Sequence, residues 1–76
     1  MRLDYQRLGP SIKQLRKEKG ISQEELARAA NLKLSNLAKL EGGFNLNPTL
    51  ATLSALAKEL TDGSLDGLFF KSEDQV

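Results

Sequence analysis

The chain contains no cysteine and no histidine. Disulfide staples, thiolate zinc sites and cysteine nucleophiles are therefore excluded. Histidine general bases and Ser-His-Asp triads are excluded with them. No run of about 18 apolar residues is present, so the sequence offers no membrane-spanning helix and no membrane partner. The first residues, Met1-Arg2-Leu3-Asp4-Tyr5, are not followed by the apolar core of a signal peptide. A soluble, cytoplasmic protein is expected. The chain is also short of net charge. Its 11 basic and 10 acidic residues leave only +1, a total that by itself weighs against a nucleic-acid partner.

That total hides an asymmetry. Residues 1–40 carry nine basic and four acidic groups, net +5, and residues 41–76 carry two basic and six acidic groups, net −4. A difference of this kind between halves is a functional hint. At 76 residues the chain has room for one domain. A single core of this size typically supplies only about 3–5 kcal/mol. A deep catalytic cavity is hard to build at this size, so recognition at a surface is the more natural task. No carboxylate, Ser, Thr, Lys or Tyr stands in a constellation that spacing supports for catalysis. Ser11 and Lys13, for example, are two apart on a helix and face apart. The chain is read as a non-enzyme that needs no cofactor and no metal.

Gly20, the Asn31 region, Gly42-Gly43, Asn47-Pro48 and Gly63 divide the chain into five blocks. Between these breaks apolar residues recur at helical spacing, and no long alternation marks a strand. In the first block Leu8, Ile12 and Leu15 share one face. Pro10 is tolerated only in a first turn without large cost, so the helix is expected to start near Arg7 or Leu8; a kinked helix from Asp4 is the alternative. The second block opens on Ser22-Gln23-Glu24-Glu25, a capping box with Ser22 at the N-cap. Its inner face is Leu26, Ala27 and Ala30. The third runs from about Lys33 to Glu41, with Leu34, Leu37 and Leu40 three apart. In the fourth, capped by Asn47 or Thr49, the residues Leu50, Leu53, Leu56, Ala57 and Leu60 form a wide apolar stripe. The fifth is a short helix from Ser64 to Phe69. The domain is expected to span residues 1–70, with 71–76 a frayed polar tail.

Only Asn31-Leu32 separates the second and third helices, with Lys33 near the start of the third. Two short helices so joined must cross steeply, as in a helix-turn-helix. Ala27 is small enough for a close approach, and Asn31 tolerates the positive φ that a sharp turn demands.

From Leu8 to Phe69 the sequence resembles the phage-repressor and Cro-like helix-turn-helix family, the XRE family. The matching elements run in order: Leu8-Gly9, Ile12-Lys-Gln-Leu-Arg16, Gly20-Ile-Ser-Gln-Glu-Glu-Leu-Ala27, Asn31-Leu32, Leu37-Ala-Lys-Leu-Glu41, Gly43, Asn47-Pro48-Thr49-Leu50 and Ser64-Leu-Asp-Gly-Leu-Phe69. No single element is specific, but the ordered set is. The resemblance implies an all-α, five-helix, lambda-repressor-like DNA-binding domain. Its function would be sequence-specific double-stranded DNA binding by a small transcriptional regulator, with the third helix in the major groove. Lys33, Leu34, Ser35, Asn36 and Lys39 fall where the family reads bases or nearby phosphates. Gln23 matches a glutamine that contacts phosphate and braces the recognition helix, and the N-terminus of its helix offers N–H groups to a phosphate. The loop from Phe44 to Asn47, with Asn45 within it, matches a segment that follows the DNA backbone. Arg16 and Glu41 match a partly buried structural salt bridge. The implied partner is an inverted repeat bound by a homodimer, with Phe70 and the fifth helix as the candidate dimer contact.

The sequence departs from that pattern at three places. Asn31 replaces the common turn glycine, a mild change. Lys33 replaces the usual Ser or Thr cap, a loss of typically about 1 kcal/mol. It also sets a cation against the helix dipole, which makes sense beside a phosphate. Leu34 stands where glutamine is common. Leucine cannot hydrogen-bond a base, so it presses on a thymine methyl, belongs to a protein interface, or edges the core. Ser35 and Asn36 remain as polar readers. The run from Lys13 to Lys19 reads as a solvated face, and Phe69 as core. The alternative to a DNA-binding regulator is a protein-interaction module on the same fold, such as an antitoxin-like partner-binding protein, favoured by the acidic second half. No separate effector domain fits within these 76 residues.

Overall fold

The computed structural model describes residues 5–45 and 47–70, with the Phe70 side chain excepted. The segment 71–76 and the Phe70 dimer contact expected above lie outside the described residues. Five helices follow one another: α1 (Tyr5–Glu18), α2 (Gln23–Ala29), α3 (Leu34–Glu41), α4 (Leu50–Leu60) and α5 (Leu65–Phe70). No strand occurs among the described residues.

The core is built almost entirely from leucine and alanine. Leu8, Ile12 and Leu15 of α1 meet Leu26, Ala27 and Ala30 from α2 and its cap, Leu37 and Leu40 from α3, Leu53, Leu56, Ala57 and Leu60 from α4, and Leu68 and Phe69 from α5. These are the faces that the helical spacing marked, with one correction. Leu50 heads the apolar stripe of α4 in sequence but keeps 66% of its surface exposed. It directly follows the N-cap Thr49, and the buried part of α4 begins one turn later, at Leu53.

The start of α1 is a second correction. The helix is already formed at Tyr5, before Arg7, and runs through Pro10, as in the alternative of an earlier start rather than the first expectation. The extra turn has a tertiary reason. The Tyr5 ring meets Phe69 of α5 edge to face, with centroids 5.0 Å apart and planes at 79°. Edge-to-face aromatic contact typically contributes about 0.5–1.5 kcal/mol beyond burial, which offsets part of the cost of proline inside a helix. Pro10 itself lies on the exposed side, one residue from the buried Leu8-Gly9 pair.

Gly9 sets how closely α1 approaches α3. A Cβ at this position would collide with the Leu40 carbonyl oxygen and stand 2.8 Å from the Glu41 carbonyl oxygen. Only a residue without a side chain lets α1 lie directly on the last turn of α3. The last turn of α3 is thereby held directly against α1.

Candidate nucleic-acid interface

The local sequence fixes how α2 hands over to α3. Ser22 caps α2 by accepting the Glu25 backbone N–H at 3.0 Å, and the Glu25 carboxylate accepts the Ser22 N–H at 2.7 Å. Two of the four orphan N–H groups at the helix start are thus satisfied. At the other end Asn31 adopts φ 60°. With Asn31 left-handed, the Leu32 N–H reaches back to the Ala27 carbonyl at 2.8 Å and the Asn31 N–H to Arg28 at 3.2 Å. This is the Schellman arrangement, and it reverses the chain within three residues. Lys33 then takes an extended conformation at the N-cap of α3 and gives no side-chain cap.

Leu37 and Leu40 point into the core and fix the rotation of α3. Every other residue from Lys33 to Lys39 is exposed. Ser35 and Lys39, four apart, lie on the side opposite Leu37. Leu34 and Ala38, also four apart, form one flank, and Asn36 stands on the other. Among the described residues the side chains of Lys33, Ser35, Asn36 and Lys39 make no hydrogen bond or ion pair. The structure therefore brings the five positions singled out on α3 onto one exposed, partnerless surface. Leu34 retains 42% exposure, so it is not a core residue in the sense that its spacing with Leu37 and Leu40 allowed.

The opposite end of α3 is organised differently. Arg16 and Glu41 form a two-point ion pair: Nε donates to Oε2 at 2.8 Å and Nη2 to Oε1 at 3.1 Å. The side chains are 11% and 2% exposed. Arg16 Nη1 also donates to the Ile21 carbonyl at 3.0 Å. Gln23 Nε2 donates to the same Glu41 Oε1 at 2.9 Å. One carboxylate thus ties the end of α3 to α1 and to the first turn of α2. The hydrogen bond to Glu41 raises the already high pKa of Arg16, with burial acting in the opposite direction. Gln23, read from sequence as a phosphate contact and a brace, uses its amide N–H as the brace.

The segment after α3 turns back along the Asn36 flank. Asn36, Leu32 and Leu40 share a cleft with Asn45, Asn47, Pro48, Thr49 and Thr52. Asn45 is half-buried, and its Oδ1 accepts the Asn47 N–H at 3.0 Å. Thr49 caps α4, accepting the Thr52 N–H at 3.2 Å. Asn36 and Asn45 therefore line one cleft of mixed polar and apolar character, apart from the Arg16–Gln23–Glu41 cluster. The sequence marks Asn47 or Thr49 as the cap of α4 and neither as a neighbour of Asn36. The dense Asn and Thr content after Gly43 was the available signal. It also gave Phe44 no individual role, yet Phe44 is 85% exposed.

A capped short helix, a left-handed turn residue and a second helix anchored at one end and bare along its outer side define a helix-turn-helix domain. A helix-turn-helix family profile matches residues 12–68, and the chain belongs to that family, of the XRE type. It is 45% identical over 53 residues to the immunity repressor protein of Bacillus phage phi105, covering 70% of this chain and 36% of that protein. It is 42% identical over 55 residues to the ImmF control region 10 kDa protein of the same phage, covering 72% of this chain and 60% of that one. The chain thus spans about a third and three-fifths of these relatives' lengths. Among solved structures it is similar to the restriction-modification controller protein C.AhdI from Aeromonas hydrophila. The TM-score is 0.78 at 35% identity, over 87% of this chain and 97% of that one. A helix-turn-helix (HTH_3) family transcriptional regulator from Vibrio cholerae matches with TM-score 0.78 at 30% identity, over 93% of this chain and 38% of that one. No helix among the described residues is long and apolar enough to cross a membrane.

Proposed function

We propose that the chain binds double-stranded DNA as a small transcriptional regulator, with α3 lying in the major groove. The observation that carries this reading is the outer side of α3. Lys33, Ser35, Asn36 and Lys39 stand exposed without partners on a helix whose rotation is fixed by Leu37 and Leu40. Lysines suit phosphates, and Ser and Asn suit base edges. The net +5 of residues 1–40 supplies the attraction. Asn45, in the loop beside Asn36, is assigned to the sugar-phosphate backbone. The remaining N–H of the Gln23 amide serves a phosphate while the other holds Glu41. Two copies, joined through α5, would span half-sites about one helical turn apart.

Selection of bound duplexes from a random library tests this. The expected result is an inverted-repeat consensus. Absence of enrichment would contradict DNA recognition and favour the second reading, a protein-interaction module on the same fold. That reading draws on Phe44 and Leu50, 85% and 66% exposed, together with the acidic residues 41–76. A stoichiometric protein partner recovered by pull-down would support it.

A further inference from the structure

The exposed side of α3 has two unlike flanks. Asn36 lies on one, beside a cleft whose polar groups come from Asn45, Asn47, Thr49 and Thr52 and whose apolar lining comes from Leu32, Leu40 and Pro48. On the other, Leu34 and Ala38 are both exposed and sit one turn apart, with no polar atom in either side chain. This apolar edge adjoins Lys33 at the N-cap and the Ser35–Lys39 row. A leucine 42% exposed in the first turn of an exposed helix is not there to complete the core, which is closed beneath it by Leu37 at 0%.

We infer that Leu34, with Ala38 behind it, reads the 5-methyl groups of thymine in the major groove, and so makes thymine content a determinant of the target site. The inference rests on the DNA-binding reading of α3 and deepens it. The occupant follows from chemistry. Two lysines, Lys33 and Lys39, border the apolar edge, and their charge suits a polyanion rather than an uncharged partner. A polyanion bearing apolar groups at base depth satisfies both. In the major groove the thymine methyl is the only apolar group among the four bases. Leu34 cannot donate or accept a hydrogen bond, so it cannot select adenine or guanine there, and it penalises the exocyclic amine of cytosine by leaving it unpaired.

The test uses the full chain and a duplex recovered by selection. Each thymine of one half-site is replaced in turn by deoxyuridine, which removes the methyl and preserves pairing. Burying one methyl corresponds to about fourfold in affinity. At least one position should therefore weaken by about three- to fivefold with the wild-type protein. Leu34→Ala should bind the thymine and deoxyuridine duplexes equally, with a thermal melt showing that it remains folded at the assay temperature. A consensus in which every thymine can be replaced without loss overturns the inference and leaves DNA binding standing. So does an undiminished methyl effect in Leu34→Ala. A selection that yields no consensus overturns both.

Discussion

The buried end of α3 and its outer side carry polar groups in opposite circumstances. At the C-terminal end, Glu41 is nearly sealed from water, and both of its oxygens are held by Arg16 and Gln23. Along the outer side, from Lys33 ahead of the helix to Lys39 in its last turn, Lys33, Ser35, Asn36 and Lys39 are exposed and hold nothing within the described residues. Burial explains the first set: a charge taken out of water must be paired and hydrogen-bonded or it costs several kcal/mol. Burial explains nothing about the second set, whose groups are already solvated. The lesson is a division of labour along one eight-residue helix. The buried end is organised for position, and the outer side has its donors free.

Substitutions can break that comparison from either side. The largest effect is expected at Glu41. Glu41→Ala leaves the Arg16 side chain, only 11% exposed, without its carboxylate and strips Gln23 of its acceptor. Removing one partner of a buried pair typically costs about 3–5 kcal/mol, comparable to the whole stability of a domain this small. A thermal melt of Glu41→Ala at the wild-type midpoint would overturn the structural assignment of the pair. Next comes Gly9→Ala. Its methyl would be driven into the Leu40 and Glu41 carbonyls, which are backbone and cannot swing aside. Overpacking of this kind typically costs about 1–3 kcal/mol, and chemical denaturation should show it. The smallest effect on stability is expected on the outer side. Lys39→Ala should shift the unfolding free energy by no more than about 0.5 kcal/mol. A Lys39 variant that melts early would erase the contrast between the buried end and the outer side.

Much of this architecture was legible from residue chemistry. The capping box of Ser22 and Glu25, the positive φ of Asn31 and the uncapped start of α3 at Lys33 follow from what those side chains can and cannot do near a backbone. What escaped depends on distant parts of the chain. The first turn of α1 survives Pro10 because Tyr5 meets Phe69, more than sixty residues away. Gly9 is required only because the end of α3 passes beside it. Leu50 matches its stripe in period but lies in the turn before the core begins. The pairing of Arg16 with Glu41 came from family resemblance, since nothing in spacing alone joins residues 25 apart. The cleft between Asn36 and Asn45 was similarly hidden, because it forms only when the loop folds back along α3.

A salt series on the selected duplex tests the central claim most directly, that the outer side of α3 meets DNA. If Lys33 and Lys39 of two protomers each neutralise one phosphate, these four contacts contribute a slope of log K against log salt of about −3.6. Lys39→Ala should then flatten the slope by about 1 per half-site without altering the melt. A wild-type slope near zero, or a slope unchanged by Lys39→Ala, would contradict the account.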